Sequence, residues 1–195
     1  MSILRFGLLL TFALGAACSM PAAPFEASLA SSEGDSRFAA LRQATARFHD
    51  VEAAVVAGYA APEPAACVEV PGLGAMGVHS AHLGLASDLV IDPLQPEVLL
   101  YLPESGGGFR LVGVEYFEVA LVLTPAGPAP WFETSAPPYP FFNPAPSVFG
   151  QVFDGPMAGH EPGMPWHYDQ HVWVWAPNPH GVFAPFNPSL SCPQG

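Results

Sequence analysis

A mainly β (α+β) fold is expected from this chain, with one N-terminal amphipathic helix packed on a small antiparallel or barrel-like sheet bearing long Pro/Gly-rich loops. Three observations lead there. Pro (24) and Gly (19) make up 43 of the 195 residues, and Pro at that density rules out an all-helical bundle, because each interior Pro breaks a helix. Half of the residues are hydrophobic, enough to build a sizeable core. Helical periodicity is strong in one segment alone, whereas β-rich runs bounded by turn residues recur beyond it.

The chain divides into a signal peptide (1–17), a flexible linker (18–34) and a single globular domain (35–195). Arg5 precedes an apolar run of twelve residues, Phe6 to Ala17, shorter than the roughly 18 needed to span a bilayer and suited to a signal-peptide core. Gly15-Ala16-Ala17 before Cys18 reads as a lipoprotein cleavage site with Cys18 acylated, although Gly15 stands where Leu is usual. An ordinary signal-peptidase cut nearby is the alternative. Either route places the protein outside the cytoplasm, as a periplasmic, cell-envelope or extracellular protein, with membrane attachment through a lipid on Cys18 in the first case. With Cys18 lipidated or removed, Cys67 and Cys192 remain as a pair. In an oxidising compartment a Cys67–Cys192 disulfide is the simple reading, with two separate buried thiols as the alternative.

Ser19 to Gly34 is rich in Ala, Pro and Ser and reads as a linker. Asp35 or Ser36 can cap a helix. Phe38, Leu41, Thr45, Phe48, Val55 and Tyr59 recur at steps near three and four, predicting an amphipathic helix of about 22 residues that Gly58 and Pro62 end. Cys67 to Val70 is a short strand candidate, and Pro71 to Gly77 a Gly-rich turn leading into His79. Glu97 to Leu102 and Phe109 to Ala120 predict two strands joined as a hairpin through Glu104 to Gly108. The triple Gly there is no phosphate loop, since no Lys follows and no helix opens. Thr124 to Ser147 is a Pro-rich excursion. Val148 to Phe153 is another short strand, His167 to Ala176 the strongest late one, and the tail from Pro177 a set of turns.

Charge narrows the function. Five Arg and no Lys stand against seventeen acids, a formal charge of -12. The last 85 residues hold six acids, all four Trp and four of the seven His, and neither Lys nor Arg. Nucleic-acid binding is excluded, because that affinity comes from cations displacing counterions. Steering of phosphorylated substrates and docking on anionic lipid are disfavoured for the same reason. A small-molecule ligand is left unidentified.

The chemistry concentrates between Gly159 and His171, with His160, His167, Asp169 and His171, and around His79 and His82. Neutral imidazole with carboxylate is a ligand set for a divalent transition metal such as Zn, Fe, Mn or Cu. On a strand, His167, Asp169 and His171 share one face. His167 and His171 would then stand about 13 Å apart, near the limit for one ion. The strand therefore starts after His167, or a bulge draws the two together, or Asp169 is central with one His as co-ligand. His79 is the leading candidate for a further ligand. Glu115 and Glu118 lie on opposite faces of their strand. Glu115 is taken as the inward one, a buried carboxylate that needs a metal or a histidinium for a partner. No Gly-x-Ser-x-Gly or His-Glu-x-x-His appears.

Gly74 to His79, Pro96 to Tyr101, Leu111 to Phe117, and the run from Phe149 through Gly159-His160 to His167-Tyr168-Asp169-Gln170-His171-Val172-Trp173 together resemble a family of uncharacterised exported bacterial proteins carrying a G-H-x-P-G-M-P-x-H-Y-D-x-H-V-W motif. The resemblance spans Phe38 to Cys192. It implies that His79, Glu115, His160, His167, Asp169 and His171 belong to one site, and it brings no established activity. Relatives carry an aromatic after the residue matching His79, where this chain has Ser80-Ala81-His82. The function expected is an exported, lipid-anchored protein with a His/carboxylate transition-metal site, the alternative being a non-catalytic ligand-binding protein whose His–Asp cluster is a structural polar network.

Overall fold

A computed structural model describes residues 36–193. The signal peptide, the linker and Cys18 lie outside the described residues. Among the described residues no helix is long and apolar enough to cross a membrane.

The fold is mainly β. A helix over 36–45 (α1) runs into a 3-10 turn at Ala46–His49, and a second short helix follows at Val51–Val56 (α2). One continuous helix was expected here. The break falls at Asp50, whose extended backbone (φ -87°, ψ 110°) and side chain accepting from Glu52 N make it the N-cap of α2. A good cap inside an apolar period ends one helix and starts the next. The apolar spacing nevertheless buries one side of both pieces. Phe38, Leu41, Phe48, Ala54 and Tyr59 join one core cluster with Tyr101, Val114 and Tyr116 of the sheet.

Ten strands follow: β1 (Val68–Val70), β2 (Gly74–Ala81), β3 (Val98–Pro103), β4 (Phe109–Val119), β5 (Leu121–Thr124), β6 (Gly127–Pro130), β7 (Ser147–Val148), β8 (Gln151–Val152), β9 (Asp154–Met157) and β10 (His167–Val172). A one-turn helix, α3 (Leu83–Ala86), sits between β2 and β3. Six strands form the main sheet in the order β1-β2-β3-β4-β10-β9, antiparallel throughout, and the sheet curls into a half-barrel. The expected hairpin is β3–β4. Its turn closes with Gly107 N donating to Glu104 O at 2.9 Å.

Elsewhere the strands differ from expectation. The Gly-rich turn before His79 is shorter than predicted, because β2 already begins at Gly74. Gly77 has φ +91° and a Cβ there would stand 2.6 Å from Tyr101 O, so the strand passes against β3 only because position 77 carries no side chain. Val148 to Phe153 is a tight β7–β8 hairpin rather than one strand, turning at Phe149 and Gly150 with φ of 53° and 79°. The Pro-rich excursion begins with a small β5–β6 ribbon. β10 ends at Val172, where Trp173 N leaves the ladder to donate to Val182 O. The tail returns to bridge Ala75 with Asn187, and the Cys67–Cys192 disulfide joins it to the residue preceding β1.

Alternation gives the sheet two buried faces. Leu99, Tyr101, Val114, Tyr116 and Tyr168 face the helices. Val98, Leu100, Phe117, Val119 and Trp173 cluster on the other face. The polar residues of interest share that second face.

Candidate metal centre

The register of the sheet places the histidines. On β10, His167 pairs with Val119, Asp169 with Phe117 and His171 with Glu115 of β4. The strand begins at His167 with no interruption along its pairing with β4, so His167, Asp169 and His171 stand in a row on one face. Glu115 pairs in turn with Val98 of β3, and His79 of β2 pairs with Leu100. The three strands β2, β4 and β10 therefore present these polar groups to the same face, with β3 between β2 and β4.

Curvature then brings them together. β2 and β10 are three strand steps apart, about 14 Å across a flat sheet. Yet His79 Nε2 lies 3.4 Å from His171 Nε2 and 3.4 Å from Glu115 Oε2. Gly113, on the same face beside Glu115, leaves room that Leu100 and Trp173 fill: a Cβ there would meet Val172 O at 2.9 Å and both of those side chains at 3.4 Å. Among the described residues, His79, Glu115 and His171 are the one group of three whose possible ligand atoms all lie within 4.8 Å of one another.

Burial sets the electrostatics. Glu115 and His171 are buried, while the His79 side chain keeps 25% exposure and opens the group to solvent. Burial pushes the His79 imidazole down to about 3, helped by His171 and His160 and opposed by Asp169. His171 falls to about 4, again chiefly through burial, with Asp169 opposing. The Glu115 carboxyl is pushed well above its ordinary range by burial first, then by Asp169 and Glu97. Its Oε2 is buried and has no hydrogen-bond partner among the described residues. Neutral imidazoles beside a carboxylate that lacks a counter-charge form a donor set for a cation. The nearest Arg along β4, Arg110, pairs with Glu104 at 3.9 Å at the opposite end of the strand.

No family model matches the chain, and no curated protein or solved structure is similar to it. The site is read from its own geometry.

Three of the six expected site residues thus converge, and the other three stand next to them. His167 is fully buried, its ring stacked on Phe117 at 4.8 Å between centroids and its Nδ1 3.0 Å from Pro165 O. Its Nε2 lies 3.6 Å from Asp169 Oδ2. His160 is exposed on the loop before β10, its ring 5.3 Å from that of His167. Glu118 faces the other way and accepts from Asn143 Nδ2 at 2.7 Å. His82 caps α3 by accepting from Leu85 N at 3.2 Å.

Glu97 went unrecognised in the sequence. It is buried, its Oε2 accepts from Phe117 N at 3.1 Å, and burial raises its carboxyl to about 7. It precedes a strand buried on both faces, so no polar alternation marked it. Asp154 was missed as well. It stands opposite Asp169 in the β9–β10 ladder, and partial burial together with Asp169 raises its carboxyl. No sequence signal pointed to it, because β9 is a four-residue strand containing Gly and Pro.

Proposed function

We propose that this is an exported metal-binding protein in which His79, Glu115 and His171 hold a divalent transition metal such as Zn, Fe, Mn or Cu. The observation that carries the reading is the convergence of three donor atoms from β2, β4 and β10 around a buried carboxylate oxygen with no partner. Two imidazoles and one carboxylate would leave further coordination positions for water or a ligand, and the partly exposed His79 gives the group access to solvent. A metal held there supplies a Lewis acid at the mouth of the half-barrel. The chain's own residues would hold it, with Val98, Leu100 and Trp173 clustered on the same face and Asp169 within electrostatic reach. Export, with a lipid on Cys18 as the anchored variant, is supported by the twelve-residue apolar run after Arg5 and by a disulfide that needs an oxidising compartment.

The test is elemental analysis of the purified mature protein, followed by titration of chelated protein with Zn, Mn, Cu and Fe. At least one tightly held equivalent is expected, lost in a His79→Ala/His171→Ala variant. A metal-free protein whose melting temperature ignores all four metals would instead make the cluster a structural polar network.

A further inference from the structure

We propose that β10 carries a second divalent-metal position, held by His167 and Asp169 and completed by His160, separate from the position between His79, Glu115 and His171. A carbonyl oxygen can only accept, so the 3.0 Å contact between His167 Nδ1 and Pro165 O fixes the hydrogen on Nδ1. Nε2 then presents a lone pair. That nitrogen belongs to a fully buried ring and has no hydrogen-bond partner among the described residues. The stack on Phe117, with planes 22° apart, holds the ring so that Nε2 stands 3.6 Å from Asp169 Oδ2. Two acceptors face each other in a buried place, and a positive species between them reconciles the arrangement. A histidine whose Nδ1–H is fixed by a backbone carbonyl and whose Nε2 is left open has the form of a metal ligand.

The surroundings add negative charge and remove the alternative cations. Asp154 stands opposite Asp169 in the ladder, and like charges directly across an antiparallel pair repel. The last 85 residues have no Lys or Arg to answer them. His160, at an exposed loop position, has its ring 5.3 Å from that of His167, and its side chain can turn onto an ion held there.

The spacing along the strand makes this a second position. His167 and His171 are four residues apart on β10, about 13 Å at strand rise, with Asp169 between them. His171 is committed to His79 and Glu115, and His167 is not within that group. That spacing is near the limit for one ion to take both histidines on a straight strand. The N and O donors suit Zn, Co, Ni or Mn rather than Ca or Mg.

The experiment is metal stoichiometry of the mature, chelated protein with Zn(II) by calorimetry and elemental analysis, and with Co(II) by visible absorption. Wild type should take two equivalents, His167→Gln one, and Glu115→Gln one. Asp169→Asn should weaken the His167 position at least tenfold. His167→Ala is a second variant should the Gln side chain itself ligate. Wild type binding a single equivalent that His167→Gln leaves untouched overturns the second position, makes His167 and Asp169 a proton-bridged pair, and leaves the first standing. A single equivalent lost in His167→Gln but kept in Glu115→Gln overturns the first position and supports the second. A wild type that binds none overturns both.

Discussion

Glu115→Gln separates a metal ligand from a structural carboxylate, because the two predict opposite signs. Glu115 is 3% exposed and its Oε2 has no hydrogen-bond partner. In chelated protein burial, followed by Asp169 and Glu97, holds the carboxyl well above its ordinary value of 4.5. A raised carboxyl value means that the unfolded chain gives up its proton first as pH rises. Glu115 therefore contributes a loss of stability from pH 4.5 upward, and below that value this pH-dependent cost is absent. Gln has the same shape and no proton to lose. At pH 7 the variant should be more stable than chelated wild type by about 2 kcal/mol, within the roughly 1.4 kcal/mol per pH unit that a raised carboxyl accumulates above pH 4.5. For a chain of this size that is a rise of about 6 °C in Tm. With metal the order reverses: an ion at a thousand times its Kd adds about 4 kcal/mol to wild type, whereas the variant has lost its anionic ligand. Differential scanning calorimetry at pH 5 and pH 7, with chelator and with excess Zn, reads all four states. A variant less stable than wild type in chelator, with an unchanged metal-induced shift, would refute the reasoning.

Three further outcomes follow from the same structure. Glu97, raised from 4.5 to about 7 by burial, contributes a loss of stability between those pH values of up to about 1.4 kcal/mol per pH unit, and chemical denaturation across that window should show the difference between wild type and Glu97→Gln changing with that slope. Gly113→Ala puts a Cβ 2.9 Å from Val172 O and should cost about 1–3 kcal/mol while weakening metal binding, since it pushes β4 and β10 apart beside Glu115. This can be read by calorimetry and Zn titration. The Cys67–Cys192 bridge closes a loop with a sequence separation of 125. Its double Ser variant should lose about 2–4 kcal/mol by urea denaturation, with amide exchange rising first at Ala75 and Asn187.

Legibility tracked the range of the interaction. The β3–β4 hairpin could be read because its turn and both strands are local, and Glu115 could be chosen over Glu118 because strand alternation is local too. The disulfide followed from counting cysteines. The helix break at Asp50 was hidden because a cap inside an intact apolar period leaves the period unchanged. The partner choice of the histidines was hidden for a different reason. Whether His171 meets His79 depends on how strongly four strands curl, and curl is a property of the sheet as a whole, set by Gly77, Gly113 and the packing of Leu100 and Trp173. Sequence spacing correctly warned that His167 and His171 strain to share one ion. It could not say that one turns to β2 while the other turns to Asp169.

That division has a consequence in protons. An exposed site of two histidines and a glutamate would carry two histidinium protons near pH 5.5 and an ionised carboxylate, so metal entry would release about two protons from nitrogen. Here the order is inverted. His79 and His171 are held down to about 3 and about 4, so both are already neutral at that pH. The buried Glu115 is pushed up and keeps its proton. Metal entering this group displaces one proton, from oxygen, and none from the imidazoles. In the His167→Gln background, where only this position remains, calorimetry in buffers of different ionisation enthalpy at about pH 5.5 should give release near one per metal. Release should vanish in the further Glu115→Gln variant if that variant still binds weakly at high Zn. Release near two, persisting without Glu115, would mean that the imidazoles are solvated and the half-barrel does not enclose them. The single proton is thus a direct reading of whether curl, rather than ligand identity alone, defines the site.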